Sequence, residues 1–410
     1  MITELHLHRW KSFEKAQLYI DPLTVLIGLN AGGKSNVLDA LLFLQRSVQQ
    51  RDLFTALRGE NEQTGVRGGL EWAVLRGNSD FQLQLKISTD DDTSDYYWYT
   101  LQVNIDAAHL TVNILEESLY KITHRKRADP SWRKIFNTEI AYTAQPFITA
   151  YTNNGRKGSK GTPHNLQRNV SVLSQLRYQN LNIEVKTSIA TVIEHLENIF
   201  ILDTVPQNMR GFPPLSNYLA TDGSNTAGVL AALPPEQQKQ VLRTLSTYTH
   251  NLPEREIQAI YVDKVGLLSN NAALRAEEKW LDGAIQNIDA NGMSDGTLRF
   301  LAILTAILTR KKGSLLIIEE IDNGIHPSRA KLLIEILRTE GEKAGVDIVV
   351  TSHNTTFLNE LGTAFIPFIV LAQRNEQTGY SQLTQVENLQ YLPKILAKGA
   401  VGTLAANGYL

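Results

Sequence analysis

The sequence predicts an α/β protein in which two separated segments build one mixed or parallel core sheet, with an antiparallel β-lobe and a helical insert between them. A short apolar strand, Leu23–Ile27, leads through a Gly-rich loop into a helix with apolar residues at helical spacing. Alternating apolar and polar residues between about 69 and 151 indicate an antiparallel sheet. From residue 293 onward helices and short apolar strands alternate, which is typical of a parallel sheet.

The predicted elements divide the chain into four segments. Ile2–Leu7 and Lys15–Ile20 alternate in polarity and are expected to pair with each other. Residues between about 170 and 290 read as mostly helical, with breaks marked by prolines. The expected segments are an N-terminal part of the core at 1–60, an antiparallel β-lobe at 61–169, a helical insert at 170–292 and a C-terminal part of the core at 293–410.

Composition excludes several classes of protein. The chain has 410 residues, and 40 Lys and Arg against 42 Asp and Glu give a net charge of −2, which disfavours a polybasic coat for nucleic acid or membrane. Cysteine is absent, so disulfides, cysteine zinc sites, iron–sulfur clusters and thiol nucleophiles are excluded. The apolar runs fall short of the ~18 residues that cross a bilayer, and the N-terminus lacks the apolar region of a signal peptide. We expect a cytoplasmic protein with no membrane contact.

A phosphate-binding loop is the strongest signal in the chain. Residues 28–35 form a complete G-x-x-x-x-G-K-S element between the buried strand and the amphipathic helix. Its glycines allow backbone N–H groups to surround phosphate oxygens at a helix N-terminus. Lys34 is expected to reach the β- and γ-phosphates, and Ser35 to bind Mg²⁺. The loop therefore predicts that the chain binds ATP together with magnesium.

A second acidic site favours hydrolysis. Leu315–Ile318 is an apolar strand that runs directly into Glu319 and Glu320, the form of a Walker B strand. Glu319 is expected to hold Mg²⁺, indirectly through water, and Glu320 to polarise the attacking water. Glutamate in place of the more usual aspartate at 319 leaves slow turnover open. The alternative is an ordinary strand ending in surface acids.

Two further elements lie near these motifs in sequence. Ser294 begins a Ser-Asp-Gly-Thr segment just before the apolar helix Leu298–Leu308, where a hydroxyl and free N–H groups are available. Read alone, Ser294 is an ordinary N-cap. His353 ends the next predicted strand, where it can face a γ-phosphate, although a histidine at a strand end is more often structural.

These elements, in this order, resemble the ABC-type ATPase head shared by SMC proteins, RecF and OLD-family ATPases. Leu7–Phe13 looks like the motif that precedes the phosphate loop in that superfamily, and Met293–Arg299 looks like its signature motif. Glu319–Pro327 is close to the E-E-P-E-x-x-L-H-P stretch of the OLD-like bacterial subgroup, except that Ile321 replaces the proline and Asp322 replaces the following glutamate.

The resemblance implies that two subunits enclose two ATP molecules, with the signature serine of one completing the site of the other. The residues it assigns to ATP are Lys11, Asn30, Gly33, Lys34, Ser35, Asn36, Ser294, Gly296 and Asp322. It assigns catalysis to Glu320 and His353, and magnesium binding to Ser35, Glu319 and Gln175. For Lys11, Gln175 and Asp322 the alternatives are a solvated turn lysine, a polar residue at a helix start and a surface acid at a helix entry.

Features that are missing narrow the subgroup. The interval from Ser35 to Ser294 holds sheet and short helices rather than a long coiled coil, which disfavours chromosome cohesion. Only 57 residues follow His353, without the acidic cluster of a Toprim nuclease domain, and the heads of membrane transporters are shorter than this chain. The basic stretches His124–Arg127 and Gly155–Lys160 are candidates for DNA contact, with solvated loops as the alternative.

The first functional hypothesis is therefore an ATP-hydrolysing switch that dimerises, or forms a higher homo-oligomer, around ATP. It would control a separately encoded effector, a nuclease or a toxin, in bacterial anti-phage defence or DNA maintenance. The second hypothesis is a nucleotide-dependent scaffold that sequesters a partner with little turnover. A RecF-like loader that binds DNA directly is the third.

Overall fold

The computed structural model describes residues 1–60, 63–89, 95–106, 108–124, 129–140, 145–156, 158–251, 257–280, 283–324 and 329–406. Residues 125–127 and Lys157 of the predicted basic stretches lie outside the described residues, as do 325–327 at the end of the acidic motif. None of the helices in the described ranges has the length and apolar character needed to cross a membrane.

Helices and strands follow the predicted order in the first and last parts of the chain. The strands are β1 Ile2–Trp10, β2 Phe13–Tyr19, β3 Leu23–Ile27, β4 Gly59–Glu60, β5 Gln63–Thr64, β6 Asp80–Ser88, β7 Asp95–Asp106, β8 Thr111–Thr123, β9 Ser131–Thr138, β10 Phe147–Thr152, β11 Thr162–Gln167, β12 Ile199–Leu202, β13 Ile257–Val265, β14 Asn271–Lys279, β15 Ile285–Asp289, β16 Leu315–Ile318, β17 Asp347–Ser352, β18 Ile369–Arg374 and β19 Ser381–Gln385. The helices are α1 Lys34–Gln49, α2 Leu53–Arg58, α3 Val172–Leu176, α4 Ile183–Glu197, α5 Thr226–Ala232, α6 Pro235–His250, α7 Asp295–Thr309, α8 Ala330–Ala344, α9 Thr355–Leu361, α10 Leu392–Leu396 and α11 Val401–Ala406.

A mixed sheet carries the predicted motifs. In the described part of the chain its strand order is β12-β16-β17-β3-β18-β19, and each neighbouring pair is parallel except β18 with β19. Strands β3, β16 and β17 are almost entirely buried, as expected for a sheet covered on both faces. Their carboxyl ends meet at one edge, so the residues after Ile27, Ile318 and Ser352 lie side by side. The predicted α/β fold with a mixed core sheet is confirmed.

The antiparallel lobe is larger than its predicted segment. Among the described residues its strand order is β11-β10-β9-β8-β7-β6-β1-β2, so β1 and β2 extend the lobe instead of joining the mixed sheet. The predicted segment 1–60 therefore divides between two sheets. The physical reason is that β1 pairs with β6 over most of its length, and this pairing buries the aromatic rings of Trp10 and Phe81 together against Phe43 of α1.

The predicted helical character of 170–292 is wrong over its last part. Strands β13, β14 and β15 form a three-stranded antiparallel sheet in the described residues between 257 and 289. The sequence of β14, Asn-Ala-Ala-Leu-Arg-Ala-Glu-Glu-Lys, is rich in good helix formers, but pairing on both sides and packing against α5 outweigh this weak preference. Gly266 and Ser269, both at positive φ, mark the turn between β13 and β14.

Glu117 of β8 attaches the antiparallel lobe to α3. Its fully buried carboxylate accepts hydrogen bonds from the hydroxyls of Tyr99 and Ser171, at 2.9 and 3.0 Å, and from the backbone N–H groups of Val172 and Leu173, at 2.7 and 2.8 Å. Burial still raises the pKa of Glu117, although these four donors lower it in part. The carboxylate thus caps the N-terminus of α3.

Candidate functional site

The phosphate-binding loop joins β3 to α1 and is enclosed by β18 and β19. Gly28 has φ +143° and Gly33 φ +113°, which L side chains rarely adopt. A Cβ at Gly28 would lie 2.0 Å from the carbonyl oxygen of Ala372, and a Cβ at Gly32 would lie 2.3 Å from the same atom. The glycines are therefore required by packing against β18 as well as by access of a ligand to the backbone. Asn30 lies exposed in this loop.

Lys34 begins α1 and Ser35 follows it, both half-buried. The ammonium of Lys34 donates to the carbonyl oxygens of Gly28 and Leu29, at 2.5 and 3.2 Å, so the side chain curls back over the loop. Burial lowers the pKa of Lys34, and the nearby charge of Glu320 opposes this shift. Lys34 and Glu320 therefore face a common space at the edge of the sheet.

The two acids after β16 are held by different neighbouring strands. The N–H of Glu319 donates to the carbonyl oxygen of Leu202 at the end of β12, at 3.1 Å. The N–H of Glu320 donates to the hydroxyl oxygen of Thr351 on β17, at 2.9 Å, and Glu320 has φ +45°. The chain thus turns sharply between two consecutive carboxylates. His353 is exposed immediately beyond β17.

Arg67, which the sequence analysis missed, connects Glu319 to α1. Its guanidinium donates two hydrogen bonds to the Glu319 carboxylate and one, at 3.0 Å, to Asp39. The other oxygen of Asp39 accepts from the ammonium of Lys11 at 2.5 Å. A signal for Arg67 was present in the sequence, because it is a basic residue next to two glycines in the segment Val66–Gly69. Glycines allow the backbone to approach a ligand closely.

This network changes the proton affinities of its members. Burial raises the pKa of Glu319, and the Arg67 guanidinium lowers it in part. For Arg67, burial lowers the pKa, but the carboxylates of Asp39 and Glu319 outweigh burial and raise it. Burial lowers the pKa of Lys11, which Asp39 offsets only in part. Asp39 is the most buried member, with 1% of its side chain exposed, and its carboxylate pairs with both cations, which compensates its burial.

A cavity of about 610 Å³ opens beside this network. Lys11, Asn36 and Arg67 line it on the side of α1, and Trp72 and Tyr380 add aromatic rings. Its other charged lining residues are the cations Arg76 and Arg374, and the Arg76 guanidinium lies 4.7 Å from the centre of the Trp72 ring. The cavity therefore joins aromatic surface to positive charge. The amide of Asn36 donates to the Ser12 hydroxyl at 2.7 Å.

The signature segment forms the N-terminus of α7. Ser294 is the N-cap, and its hydroxyl oxygen accepts the N–H of Thr297 at 3.1 Å, so the capping alternative is realised in the fold. Gly296 packs against the segment after β16, since a Cβ there would lie 2.7 Å from the carbonyl oxygen of Gly324. The side chain of Asp322 is buried, and its Oδ1 atom has no hydrogen-bond partner among the described residues.

Gln175 is tied to the lobe by its own hydrogen bonds. Its side-chain carbonyl oxygen accepts the N–H of Gln167 at 2.9 Å, and its side-chain amide donates to the backbone carbonyls of Gln167 and Val170.

Asp203 lies where its side chain can act on Glu319, because it follows β12 and its charge helps to raise the pKa of Glu319. The sequence contained this residue at the end of a short apolar run, Ile199–Leu202.

The donor set at this edge fits magnesium. The Ser35 hydroxyl and the Glu319 carboxylate supply oxygen, the ligand atom that Mg²⁺ prefers. Groups of three or more acids or histidines arranged to hold a metal ion do not occur in the described ranges. Mg²⁺ commonly uses only one or two protein oxygens, the rest coming from phosphates and water.

One lysine of the predicted basic stretches is paired in the described part of the chain. Lys160 pairs with Glu139, with 2.7 Å between the ammonium and the carboxylate oxygen, on an exposed surface. Lys134 donates to the carbonyl oxygen of Lys160. DNA contact by these stretches stays a prediction.

Similarity to solved structures supports the fold. The crystal structure of an SMC head bound to the C-winged helix domain of ScpA matches with a TM-score of 0.51 at 12% sequence identity, over 93% of this chain and 97% of that one. The SMC head domain from Thermotoga maritima matches with a TM-score of 0.42 at 10% identity, over 94% of this chain and 98% of that one. An SMC head from Pyrococcus furiosus, with an extended coiled coil and bound to the C-terminal domain of ScpA, gives 0.44 at 12% identity, over 97% and 98%. The first of these shows that the chain has the α/β fold of an SMC ATPase head.

No curated protein sequence matches the chain. One family model matches it over residues 23–146 and 228–359, which together are more than half of the sequence. The matched ranges include the phosphate-binding loop, Asp39 and Arg67, the signature segment, both acids after β16 and His353. The chain therefore belongs to the family of AAA ATPase domains described as "AAA domain, putative AbiEii toxin, Type IV TA system".

Proposed function

We propose that the chain binds ATP with magnesium at this edge of the mixed sheet and hydrolyses it. One observation carries the proposal: the adjacent parallel strands β16, β17 and β3 end together, and they are followed by Glu319 and Glu320, by His353 and by the phosphate-binding loop. A ligand phosphate held by the loop is then next to a carboxylate and an imidazole. The charge of Glu320 acts on Lys34 across this space, since it opposes the lowering of the Lys34 pKa by burial.

The residues divide the work of hydrolysis among them. The loop N–H groups and the Lys34 ammonium bind the β- and γ-phosphates and neutralise charge as it develops. Glu320 accepts a proton from the attacking water, and His353 contacts the γ-phosphate. Magnesium, held by Ser35 and Glu319, supplies further charge neutralisation at the phosphates. Because Arg67 pairs with both oxygens of Glu319, this pair would have to open before Glu319 could hold a magnesium ion directly.

The nucleoside part of ATP takes the cavity beside α1. This cavity begins at Asn36, two residues after Lys34, so it continues from the phosphate site. Trp72 is half-exposed and offers a ring face for a purine base, while Lys11 and Arg67 face the phosphate end. The Lys11 ammonium donates to Asp39 and to the carbonyl oxygen of Arg67, and its third hydrogen is the one that would contact a phosphate.

Two subunits together form the complete site. Ser294 is exposed at the start of α7, and its hydrogen bonds stay within its own helix and do not reach the phosphate-binding loop of the same chain. Its hydroxyl and the helix N-terminus are therefore available to the γ-phosphate bound by a second copy. Gly296 follows in the first turn of α7, and Asp322 is buried in the segment after β16. ATP then acts as the link in a homodimer or a larger homo-oligomer.

Biologically, the ATP-dependent dimer controls a separately encoded effector. The description of the matched family names a toxin and a toxin–antitoxin system, which supports an effector of the toxin or nuclease class over a role in transport. Anti-phage defence and DNA maintenance are the pathways in which we place such a switch.

A nucleotide-dependent scaffold with little turnover is the second candidate function, and glutamate in place of aspartate at 319 leaves room for it. A loader that binds DNA directly is the third candidate.

ATP turnover by the whole chain tests this proposal. Glu320→Gln should lower kcat by on the order of 10²–10⁴-fold while ATP still binds. Lys34→Ala should weaken binding of a fluorescent ATP analogue by about tenfold to a hundredfold, because it removes a charged hydrogen-bond donor. Glu335→Gln on the exposed face of α8 is the matched control. Nucleotide binding without measurable turnover in the unmodified chain would favour the scaffold.

A further inference from the structure

Thr351 holds two consecutive peptide groups of the acidic segment. It is the fifth of six residues in β17 and is buried, with 4% of its surface exposed. Its hydroxyl oxygen accepts the N–H of Glu320 at 2.9 Å, and its carbonyl oxygen accepts the N–H of Ile321 at 3.0 Å. A single residue of the neighbouring strand therefore anchors the chain two and three residues after the end of β16.

The anchored segment has an unfavourable backbone conformation. Glu320 has φ +45°, in the left-handed region that residues with a Cβ avoid. Such a conformation persists when surrounding contacts hold it, and it is common at functional sites. The contacts here are the two bonds to Thr351 and a turn closed by the N–H of Asn323, which donates to the Glu320 carbonyl at 2.8 Å. The bond to the Thr351 hydroxyl is the one of these three backbone anchors that a side chain supplies; the Asn323 side-chain amide also donates, at 3.5 Å, to the Glu320 carboxylate.

The left-handed turn separates the two acids. Glu319, just before the turn, is bonded through its N–H to β12 and through its carboxylate to Arg67. Glu320, at the turn, is bonded to β17 and lies where its charge reaches Lys34. Without the turn, two consecutive residues in extended conformation would point to opposite faces of the sheet. The turn allows both carboxylates to serve the same edge.

We propose that Thr351 is a positioning residue for Glu320: its hydroxyl holds the peptide of the general base in the left-handed turn. The proposal rests on the hydrolysis proposed above. The same strand end also precedes the histidine, because His353 follows Thr351 by two residues, immediately after the last residue of β17. Movement of this strand end then shifts the base and the histidine together.

The test compares variants that differ only in the hydroxyl. Thr351→Val keeps the shape but removes the acceptor, and it should lower kcat for ATP about tenfold, with unchanged affinity for a fluorescent ATP analogue. Thr351→Ser keeps the acceptor and should restore most of the turnover. Thr305→Val is the control, since Thr305 is fully buried in α7 and its hydroxyl oxygen accepts no hydrogen bond in the described part of the chain.

A double variant separates positioning from general damage. In the Glu320→Gln background, Thr351→Val should cost little more, because its effect passes through the carboxylate that has already been removed. If Thr351→Val lowers turnover equally in both backgrounds, or if it turns over like the unmodified chain, the proposal is overturned. Should the valine variant fail to fold, Thr351→Ser and Thr351→Cys form a second matched pair, and equal turnover in these two would overturn it as well. Absence of turnover in the unmodified chain would instead overturn the proposed function itself.

Discussion

Arg67 and Glu319 are 252 residues apart in the sequence, yet the guanidinium of Arg67 donates two hydrogen bonds, of 2.8 and 3.1 Å, to the Glu319 carboxylate. The pair joins the segment after α2 to the end of β16. A bidentate pair of this kind occupies both oxygens of the Glu319 carboxylate. Arg67 therefore competes with any cation that approaches Glu319.

Removing Arg67 should make magnesium more effective. In Arg67→Gln the concentration of Mg²⁺ that supports half-maximal ATP turnover, measured at saturating ATP, should fall about twofold to fivefold; the effect is modest because Arg67 is half-exposed. Arg58→Gln is the control, because Arg58 lies over the Phe54 ring of α2 instead. An unchanged magnesium requirement in Arg67→Gln would show that the pair does not limit access to Glu319.

Ser294 has two separable roles, as a helix cap and as a contact for ATP on the partner subunit. Ser294→Ala should lose both, with a loss in the free energy of unfolding of about 1 kcal/mol. Ser294→Asp should keep the cap, since aspartate caps helices as well as serine, but should lose turnover because its charge repels the γ-phosphate. Thermal unfolding and ATP turnover measured on both variants check this.

Mixed subunits test whether that contact is made across the dimer. An equal mixture of Lys34→Ala and Ser294→Asp chains forms hybrid dimers in which one site has both motifs intact. After subunit exchange the mixture should regain on the order of a quarter of the unmodified activity. A mixture that stays inactive while hybrid dimers are demonstrably present would contradict the composite site.

Gly28 should tolerate no side chain, because the Ala372 carbonyl occupies the space of a Cβ. Gly28→Ala should lower the free energy of unfolding by more than about 2 kcal/mol through overpacking against β18. Gly69→Ala is the matched control: Gly69 also has a positive φ, +56°, but a Cβ there meets nothing within 4 Å. Urea unfolding of both variants separates the clash from backbone strain, and equal losses would rule out the clash.

Asp347 at the start of β17 should make stability depend on pH. Burial raises its pKa to about 7, with a further increase from Asp21 and an opposing effect of the Met1 amino group. Between about pH 4 and 7 the folded chain keeps a proton that the unfolded chain has released, so the free energy of unfolding falls as the pH rises. Asp347→Asn should therefore be more stable than the unmodified chain at pH 8, with the difference shrinking toward pH 4.

Urea unfolding at pH 5 and pH 8 measures this effect. Asp129→Asn, at an exposed position, is the control and should follow the unmodified chain at both values. If Asp347→Asn and the unmodified chain lose the same stability between the two pH values, the Asp347 carboxyl is not the group responsible.

The sequence was sufficient where a motif and its flanking elements agree. The strand before Gly28, the helix from Lys34 and the acids after Ile318 all lie as predicted, because each depends on local pattern: a buried apolar run, glycines and polar residues at its end. The signature serine was predicted both as a cap and as a ligand, and its capping bond is present.

The errors come from pairing between distant segments. The residues of β14 favour helix locally, and only β13 and β15 on either side make it a strand. Arg67 was missed because its significance lies in a contact with Glu319 far along the chain. Asp203 was missed for the same reason. It lies beside Glu319 because β12 pairs in parallel with β16, and this long-range pairing is not visible in the sequence.

The place of β3 in the mixed sheet has a consequence for synthesis of the chain. Although β3 is complete at residue 27, its two neighbours are β17 and β18, which are not finished until residues 352 and 374. The phosphate-binding loop therefore stays without its supporting strands while most of the chain leaves the ribosome, and contacts of such high sequence separation fold slowly. Until residue 374 has been made, β3 lacks one of its neighbours and can pair with other chains, which favours aggregation. A complete nucleotide site therefore becomes possible only after translation has passed residue 374.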